Sequence, residues 1–332
     1  MKTVVPDDFP PVYAAHAAQL DPLRERGEVV VHQTRAASPA ELSERLHGAA
    51  FAINVRAYSV FDEPLLATLP DLRLISVQGT GTDNVDLAAC TRRGVVVTNC
   101  PGAAATSVAE LAIGLLLAVA RGIAASDRLV RAGTWAHPPS FELRGKVLGI
   151  VGLGLIGQEV ARLGRAFGMR VVAWSFRDDP ARAASVGAET MPLADLLREA
   201  DVVSIHLRNS SEARGLIGAA QLALMKPSAV LINTARGAIV DEAALLTALR
   251  ERLIAGAGLD VFVQEPVPAG SAWAEMDNVV LSPHAGGVTA EASARLARLP
   301  VDNILAYLAG RPANVVNPTA LTHPRHDGLV RA

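Results

Sequence analysis

The chain has 332 residues, too many for one typical domain and suited to two of ordinary size, and half of them are hydrophobic. Aromatic residues make up only 4%, so the cores must be built from Ala, Val, Leu and Ile, and a formal charge of −2 gives no electrostatic reason to bind nucleic acid or an anionic membrane. Two cysteines, Cys90 and Cys100, without C-x-x-C spacing argue against a disulfide framework or a structural metal site.

Met1 to Pro11 carries acidic residues and prolines where a signal peptide needs an apolar core, and the longest apolar run, Leu111 to Ala120, is about half the length of a bilayer span. The expectation is a soluble cytoplasmic protein acting on a small molecule.

In residues 1–99, short β-branched runs at Lys2 to Val5, Glu28 to His32, Ala50 to Val55, Leu72 to Val77 and Val95 to Thr98 alternate with segments carrying Leu and Ala at helical spacing. That alternation predicts a parallel sheet with crossover helices. Two strand ends depart from simple packing. Asn54-Val55-Arg56 places a charge after a buried-looking strand, and Val77 to Asp86 follows another with two glycines and many small polar groups. Gly79, Thr80 and Gly81 could form a backbone nest for a carboxylate, or the segment could be a turn with side-chain caps.

Pro101 to Arg121 reads as a loop, then Thr106, Ser107 and Glu110 as capping candidates, then a helix apolar nearly all round. Such a helix is expected between domains or between subunits. Gly133 to Pro139 is a loop containing Trp135.

Lys146 to Asp178 is the stretch around which the chain is organised. An apolar run of strand length, Val147 to Val151, ends at Gly152-Leu153-Gly154-Leu155-Ile156-Gly157, which is G-x-G-x-x-G. Val160, Ala161, Leu163, Gly164 and Phe167 then recur at helical spacing, and Met169 to Trp174 is a second β-branched run. Strand, glycine turn, helix and strand together give the dinucleotide-binding fingerprint its required context. Gly152 would permit the tight turn, Gly154 the approach of a pyrophosphate, and Gly157 close packing of helix on strand. At the end of the second strand, where a carboxylate would accept bonds from the adenosine ribose of NAD, stand Ser175, Phe176 and Arg177. The cofactor is therefore NAD(P), with a lean to NADP(H).

Further strands are predicted at Val202 to Leu207, Ala229 to Asn233, Gly258 to Val261 and Val279 to Ser282, with helices around 193–199, 219–225 and 241–252. Three strand ends finish in unusual polar residues: Asn233 to Gly237, Asp260 to Pro266, and Ser282 to Gly287. In a parallel sheet such ends share one crevice. His284 is the natural acid/base, and a carboxylate from Glu265 or Asp260 on its other nitrogen would fix its orientation. Arg236 can grip a substrate carboxylate with two hydrogen bonds. Beside a nicotinamide these groups point to hydride transfer to a 2-oxo acid. The predicted fold class is α/β, with two doubly wound parallel-sheet domains: a Rossmann domain over 100–300 inserted into a flavodoxin-like substrate domain formed by 1–99 plus 301–332. The tail from Leu321 onward is expected to be flexible.

The sequence resembles the D-isomer-specific 2-hydroxyacid dehydrogenases, through Val55-Arg56, Gly79-Thr80-Gly81 with Asp83 to Asp86, Ser107 to Glu110, Gly152 to Gly157, Asn233 to Gly237, Asp260 with Glu265-Pro266, and Ser282-Pro283-His284. The resemblance implies the family's split substrate domain, two hinge helices and a homodimer. It implies catalytic roles for Arg236, Glu265 and His284, and a substrate site that includes Arg56, Gly79, Thr80 and Gly81. It also implies cofactor contacts from Thr106, Gly152, Gly154, Leu155, Ile156, Gly157, Ser175, Arg177, His206, Leu207, Arg208, Thr234, Ala235, Arg236, Asp260, His284, Gly286 and Gly287.

Ser175 departs from the aspartate of NAD-using members as NADP(H)-using glyoxylate and hydroxypyruvate reductases do, and Arg208 stands where the family usually has proline. The length leaves no room for the regulatory domain of a phosphoglycerate dehydrogenase. Two other readings stay open: a dehydrogenase for another anion, of phosphite or formate type, and a non-catalytic NAD(P) sensor like the family's corepressors.

Overall fold

The computed structural model describes residues 1–56 and 58–326. The chain forms two compact units, Ala105–Val288 and, around it in sequence, Met1–Ala104 with the segment from Thr289 onward.

The first unit holds β1 (Lys2–Val5), β2 (Glu28–Val31), β3 (Phe51–Val55), β4 (Leu74–Gln78) and β5 (Val96–Thr98). All pair in parallel, in the order β2-β1-β3-β4-β5, with the order of strand addition reversing between β1 and β3. Every residue of β3 and β4 is buried, because both sheet faces are covered. Alternate residues feed two cores. Phe51, Ile53 and Val55 meet Ala297, Val301, Ile304 and Tyr307 of the long helix Ala290–Leu308. Ala52, Ile75 and Val77 meet Leu42, Leu46, Leu65, Leu66 and Ala89 on the opposite face. Three of the helices there, at Pro39–Leu46, Glu63–Ala67 and Leu87–Arg92, start at Ser38, Asp62 and Asp86, each accepting from a backbone N–H three residues on.

Asn303 on the long helix donates to the Asn99 carbonyl at 2.9 Å, and Asn317 accepts from Val97 N at 2.8 Å and donates to Val95 O at 2.9 Å. These buried amides hold the returning chain against β5. They also explain why the second unit ends at Val288 and not at residue 300: the whole helix Ala290–Leu308 packs on the first unit's sheet. The opposite boundary falls after Ala104, later than the expected 99. The expected flexible tail is corrected from Leu321 to His326. Pro318–Thr322 and Pro324–His326 are 3-10 turns, Arg325 donates to the Leu72 and Pro70 carbonyls, and buried His326 bonds both Tyr307 Oη and Gly94 O. The rest of that expectation lies outside the described residues.

The second unit holds β6 (Val147–Val151), β7 (Arg170–Trp174), β8 (Ala188–Thr190), β9 (Val202–Ile205), β10 (Val230–Asn233), β11 (Gly256–Leu259) and β12 (Val279–Leu281). The order β12-β11-β10-β9-β6-β7-β8, all parallel, is a doubly wound sheet whose strand order reverses between β6 and β9. β8 was not expected, since Ala-Glu-Thr carries no apolar run.

The apolar helix Ala105–Ala120 begins before Thr106, so Thr106 and Ser107 sit in its first turn and do not precede it. Its buried residues, Ala109, Ala112, Ile113, Leu115, Leu116 and Ala120, join the second unit's own core with Leu148, Ile150, Val160, Val230 and Ile232. That face makes it a core helix of the second unit. Among the described residues no single helix is long and apolar enough to cross a membrane.

Candidate active site

The carboxyl end of β6 turns sharply at Gly152, whose φ of +105° is costly for any side chain. A Cβ there would lie 2.8 Å from the His206 carbonyl carbon and oxygen, so the turn is pressed against the end of β9. Gly157 is excluded from bearing a side chain by a different neighbour, the Gly152 carbonyl oxygen, which a Cβ would approach to 2.2 Å. Gly154 differs from both: a Cβ there would meet nothing within 4 Å. It opens the helix Leu155–Ala166 and supplies no side-chain cap, so the first N–H groups of that helix remain available. Open space, an uncapped helix N-terminus and its partial positive charge fit a dinucleotide pyrophosphate. Leu155 is exposed at the start of this helix, and Ile156 packs against the core below.

Ser175 follows β7, and its Oγ accepts a hydrogen bond from Leu153 N at 2.9 Å, so the serine braces the glycine turn and keeps its own proton to donate outward. Ser175, Arg177, Asp178 and Arg182 line one shallow cavity with Leu153 and Thr190. Asp179 caps the helix Pro180–Ser185 and pairs with Arg182 at 2.9 Å, whereas Arg177 and Arg208 are exposed.

His206 ends β9. Its Nε2 is 2.8 Å from Ser204 Oγ, while its Nδ1 is buried and has no partner among the described residues. Burial pushes its pKa down to about 3, so the imidazole is neutral at physiological pH. Leu207 lies against the Gly152 turn.

At the end of β10, Asn233 folds the following loop over itself: its Oδ1 accepts from Ala235 N and its Nδ2 donates to Arg236 O. Arg236 Nη1 donates to the Ala235 carbonyl at 2.8 Å, and the Thr234 hydroxyl is buried without a partner among the described residues. Gly237, which sequence reasoning quoted without giving it a role, lets this loop touch the one after β11. A Cβ would come within 2.1 Å of the Phe262 carbonyl carbon and 2.5 Å of Val263 N.

Asp260 and Glu265, both candidates for the histidine's partner, divide the work. Asp260 is 1% exposed, and its two oxygens accept from Ala285 N and Gly286 N at 2.8 and 2.9 Å, pinning the loop that carries His284. Glu265 Oε1 accepts from Phe262 N, and its Oε2 lies 2.7 Å from His284 Nδ1. Burial pushes the Glu265 carboxyl up, but the His284 bond and the Phe262 N–H outweigh it and hold the group below the usual carboxylate range. His284 has φ of +54°, a strained conformation for a non-glycine residue, and its side chain is 46% exposed. The strain, the pinned loop and the glutamate fix one ring nitrogen and leave Nε2 reachable. Gly286 and Gly287 follow directly.

In the first unit, Arg56 follows β3 with φ of +53° and a buried Nε that has no partner among the described residues. Neighbouring Asn54 is fully buried with both amide atoms likewise unpartnered. Of the three expected nest donors, Gly79 N is spent on the Val77 carbonyl, leaving Thr80 and Gly81 without a backbone partner among the described residues. Asp86 at the end of that segment caps the helix Leu87–Arg92, so the nest and capped-turn readings each describe part of it.

A glycine turn at the order reversal of a doubly wound sheet, with an Arg, an acid and a His–Glu pair on neighbouring strand ends, defines a dinucleotide-dependent oxidoreductase. The family described as D-isomer specific 2-hydroxyacid dehydrogenase, NAD binding domain, matches residues 113–286. The glyoxylate reductase of Thermococcus litoralis is 44% identical over 271 residues, covering 79% of this chain and 82% of that protein. The D-3-phosphoglycerate dehydrogenase of Mycobacterium tuberculosis is 44% identical over 262 residues, 78% of this chain and 49% of that longer protein. Among solved structures, the NADPH-dependent glyoxylate/hydroxypyruvate reductase of Sinorhizobium meliloti, in complex with NADP and malonate, superposes with a TM-score of 0.83 at 31% identity, covering 96% of this chain and 97% of its own. The chain belongs to the D-isomer-specific 2-hydroxyacid dehydrogenase family and is an NAD(P)-dependent enzyme of that class.

Proposed function

We propose that the protein reduces a small 2-oxo acid to the D-2-hydroxy acid, with His284 as general acid, Glu265 as its partner and Arg236 as the carboxylate grip. The observation that carries this reading is the 2.7 Å contact of His284 Nδ1 with Glu265 Oε2, which leaves Nε2 as the nitrogen able to deliver a proton. Bound NAD(P)H supplies the hydride, from C4 of its nicotinamide to the carbonyl carbon. As negative charge grows on the carbonyl oxygen, His284 Nε2 protonates it and the Arg236 guanidinium stabilises it electrostatically. Asp260 keeps the His284 loop in place through two backbone N–H groups. In the first unit, Thr80 N and Gly81 N, with Arg56, are candidates for the substrate's carboxylate.

The cofactor reading leans to NADP(H). Ser175 offers a hydroxyl proton where a carboxylate would repel a 2′-phosphate, and Arg177 and Arg208 are exposed cations on the loops after β7 and β9. The relatives named for glyoxylate and hydroxypyruvate reduction make those acids the first substrates to try. A homodimer is supported by the segment after the core helix: the helix Ile123–Arg131 buries none of its residues, Ile123 and Val130 are exposed, and Trp135 is 83% exposed. The cytoplasm supplies the reduced dinucleotide that this chemistry uses, which supports that location.

Loss of reduced-nicotinamide absorbance with glyoxylate and hydroxypyruvate, using NADPH and NADH in parallel, tests the function. Turnover is expected with both acids. Binding of cofactor without turnover on any 2-oxo acid would overturn the reading in favour of another anion or a sensor.

A further inference from the structure

The amino-terminal edge of the first unit's sheet carries an open groove of about 540 Å³, a volume within the range of small-ligand sites. Lys2 at the start of β1, Arg73 just before β4, and Arg325 line it, against a single acid, Asp71. All of them belong to the first unit. Phe51 and Tyr307, each 1% exposed, pack edge to face beneath it.

The backbone sets two of the cations abreast. Ala50 N donates to Lys2 O at 2.9 Å, and Arg73 N donates to Ala50 O at 2.8 Å, so these residues stand side by side where the neighbouring strands begin. With strands about 4.8 Å apart, the Lys2 and Arg73 backbones lie roughly 10 Å from each other, separated by a residue whose side chain is one methyl group. Arg325 fixes the loop between them and β4: its Nη1 and Nη2 donate to the Leu72 and Pro70 carbonyls at 2.8 and 2.9 Å. The Lys2 ammonium donates to the His47 carbonyl at 2.8 Å and has donors to spare. Among the described residues the Arg73 side chain makes no hydrogen bond or ion pair, so its fork of N–H groups is unspent.

Cations gathered in this way repel one another unless an anion joins them, and the walls of a cleft concentrate their field. The field reaches the groups beneath. Burial raises the pKa of the Tyr307 phenol and lowers that of the His326 imidazole bonded to it, and Arg73 and Arg325 act on both, opposing the first shift and adding to the second. The strands β1, β3 and β4 are only four or five residues long, which puts this edge roughly 15 Å from the carboxyl ends beside Arg56 and Gly79. An occupant of the groove would leave those ends free.

We propose that the groove is a binding site for a small polyanion, a phosphorylated or polycarboxylate metabolite held by Lys2, Arg73 and Arg325. The site is distinct from the one that takes the 2-oxo acid and does not depend on the reductase reading.

Isothermal titration of the full chain with tripolyphosphate, and separately with citrate, tests it, with NADPH and NADH both present to fill the dinucleotide site. Saturable binding at one site is expected for at least one probe, weakening as salt is raised, and the tighter probe tells phosphate from carboxylate chemistry. Arg73→Ala should weaken binding about tenfold, the usual size of a lost charged hydrogen bond, and the Lys2→Ala, Arg73→Ala double variant should lose it. Asp71→Asn removes the acid and should tighten binding. Arg73 and Asp71 are both exposed, so neither substitution should move the Tm of the ligand-free protein. Arg92→Ala removes an exposed cation of the same unit that does not line the groove, and it should leave binding unchanged. Equal losses in Arg73→Ala and Arg92→Ala would reduce the effect to general charge attraction and overturn the proposal. No saturable binding of either probe, or binding that survives the double variant, overturns it as well. The readout is heat of binding and not turnover, so each of these failures leaves the reductase reading standing.

Discussion

The neutral histidine beneath the glycine turn gives stability a defined dependence on pH. His206 has a pKa of about 3 in the folded chain because its ring is buried, against an ordinary value of 6.5. The unfolded chain therefore binds more protons than the folded one between those two values, and stability rises with pH across that window. The full contribution is present above 6.5 and is lost progressively as pH falls toward 3. At pH 5, roughly 1.5 units into the window, the loss is on the order of 2 kcal/mol, at about 1.4 kcal/mol per unit. In His206→Gln, an amide can keep a bond to Ser204 Oγ but cannot titrate. All three tryptophans, Trp135, Trp174 and Trp273, lie in the second unit, so denaturant unfolding followed by tryptophan fluorescence reports the unit that contains His206. Between pH 8 and pH 5 the wild type should lose about 2 kcal/mol more than the variant. Because the Gly152 turn is pressed against the His206 backbone, cofactor affinity should weaken over the same interval. Equal losses in the two proteins would show that the imidazole is not held neutral, and the reasoning from burial would fail.

His284→Ala should lower turnover by a factor of roughly 10² to 10⁴, the usual size of general acid catalysis, while near-normal turnover would remove the histidine from the mechanism. Glu265→Gln should lose less, since the imidazole remains and an amide can still bond its Nδ1, and activity equal to that of His284→Ala would show that the glutamate does more than orient the ring. In Gly237→Ala the added carbon would strike backbone atoms of Phe262 and Val263, and overpacking of this kind costs on the order of 1–3 kcal/mol. Because the displaced loops carry Arg236 and Glu265, kcat/KM should fall together with Tm; a stable variant with normal kinetics would show that the two loops move independently. The Arg177→Ala, Arg208→Ala double variant should lose preference for NADPH over NADH, measured as a ratio of kcat/KM, and an unchanged ratio would exclude both arginines from the 2′-phosphate site.

What could be read from the sequence was what local chemistry decides. Strands such as Phe51–Val55 and Val230–Asn233 are continuous apolar runs with polar residues at their carboxyl ends, so both the sheet and the polar ends facing one edge were legible. β8 was not, because Ala188–Thr190 is held by pairing with β7 and has no pattern of its own. The partners of the helix Ala105–Ala120 were not legible for a related reason. An all-round apolar helix signals burial on every side, but periodicity does not say against what; one side meets its own unit's sheet and the helix Leu155–Ala166. Arg236, Asp260, Glu265 and His284 could be named from their positions after strands. The division of labour between Asp260 and Glu265 could not, since it depends on which carboxylate reaches Ala285 N and Gly286 N and which reaches the imidazole. Lys2 and Arg73 carry no sequence signal as a pair: they are brought together only by the parallel pairing of β1, β3 and β4.

The two units share an architecture, and the turn after the first strand of each decides which can hold a dinucleotide. Both sheets reverse their order beside that strand, at β1 and at β6, so topology alone offers two equivalent crevices. After β6 comes Gly152, then a helix whose first N–H groups meet no side-chain cap and whose N-terminal glycine faces open space. After β1 come Asp7 and Asp8. The backbone N–H groups that a pyrophosphate would need there, at Val12 and Tyr13, are already donated to Asp8, and the carboxyl groups themselves would face the phosphates. An anion is thus favoured at one reversal by unspent donors and opposed at the other by acids that have spent them. The same acids hold the loops that carry Phe9, Arg35 and Tyr58, so the first unit's version of the turn is tied to its own chain where the second unit's is left open.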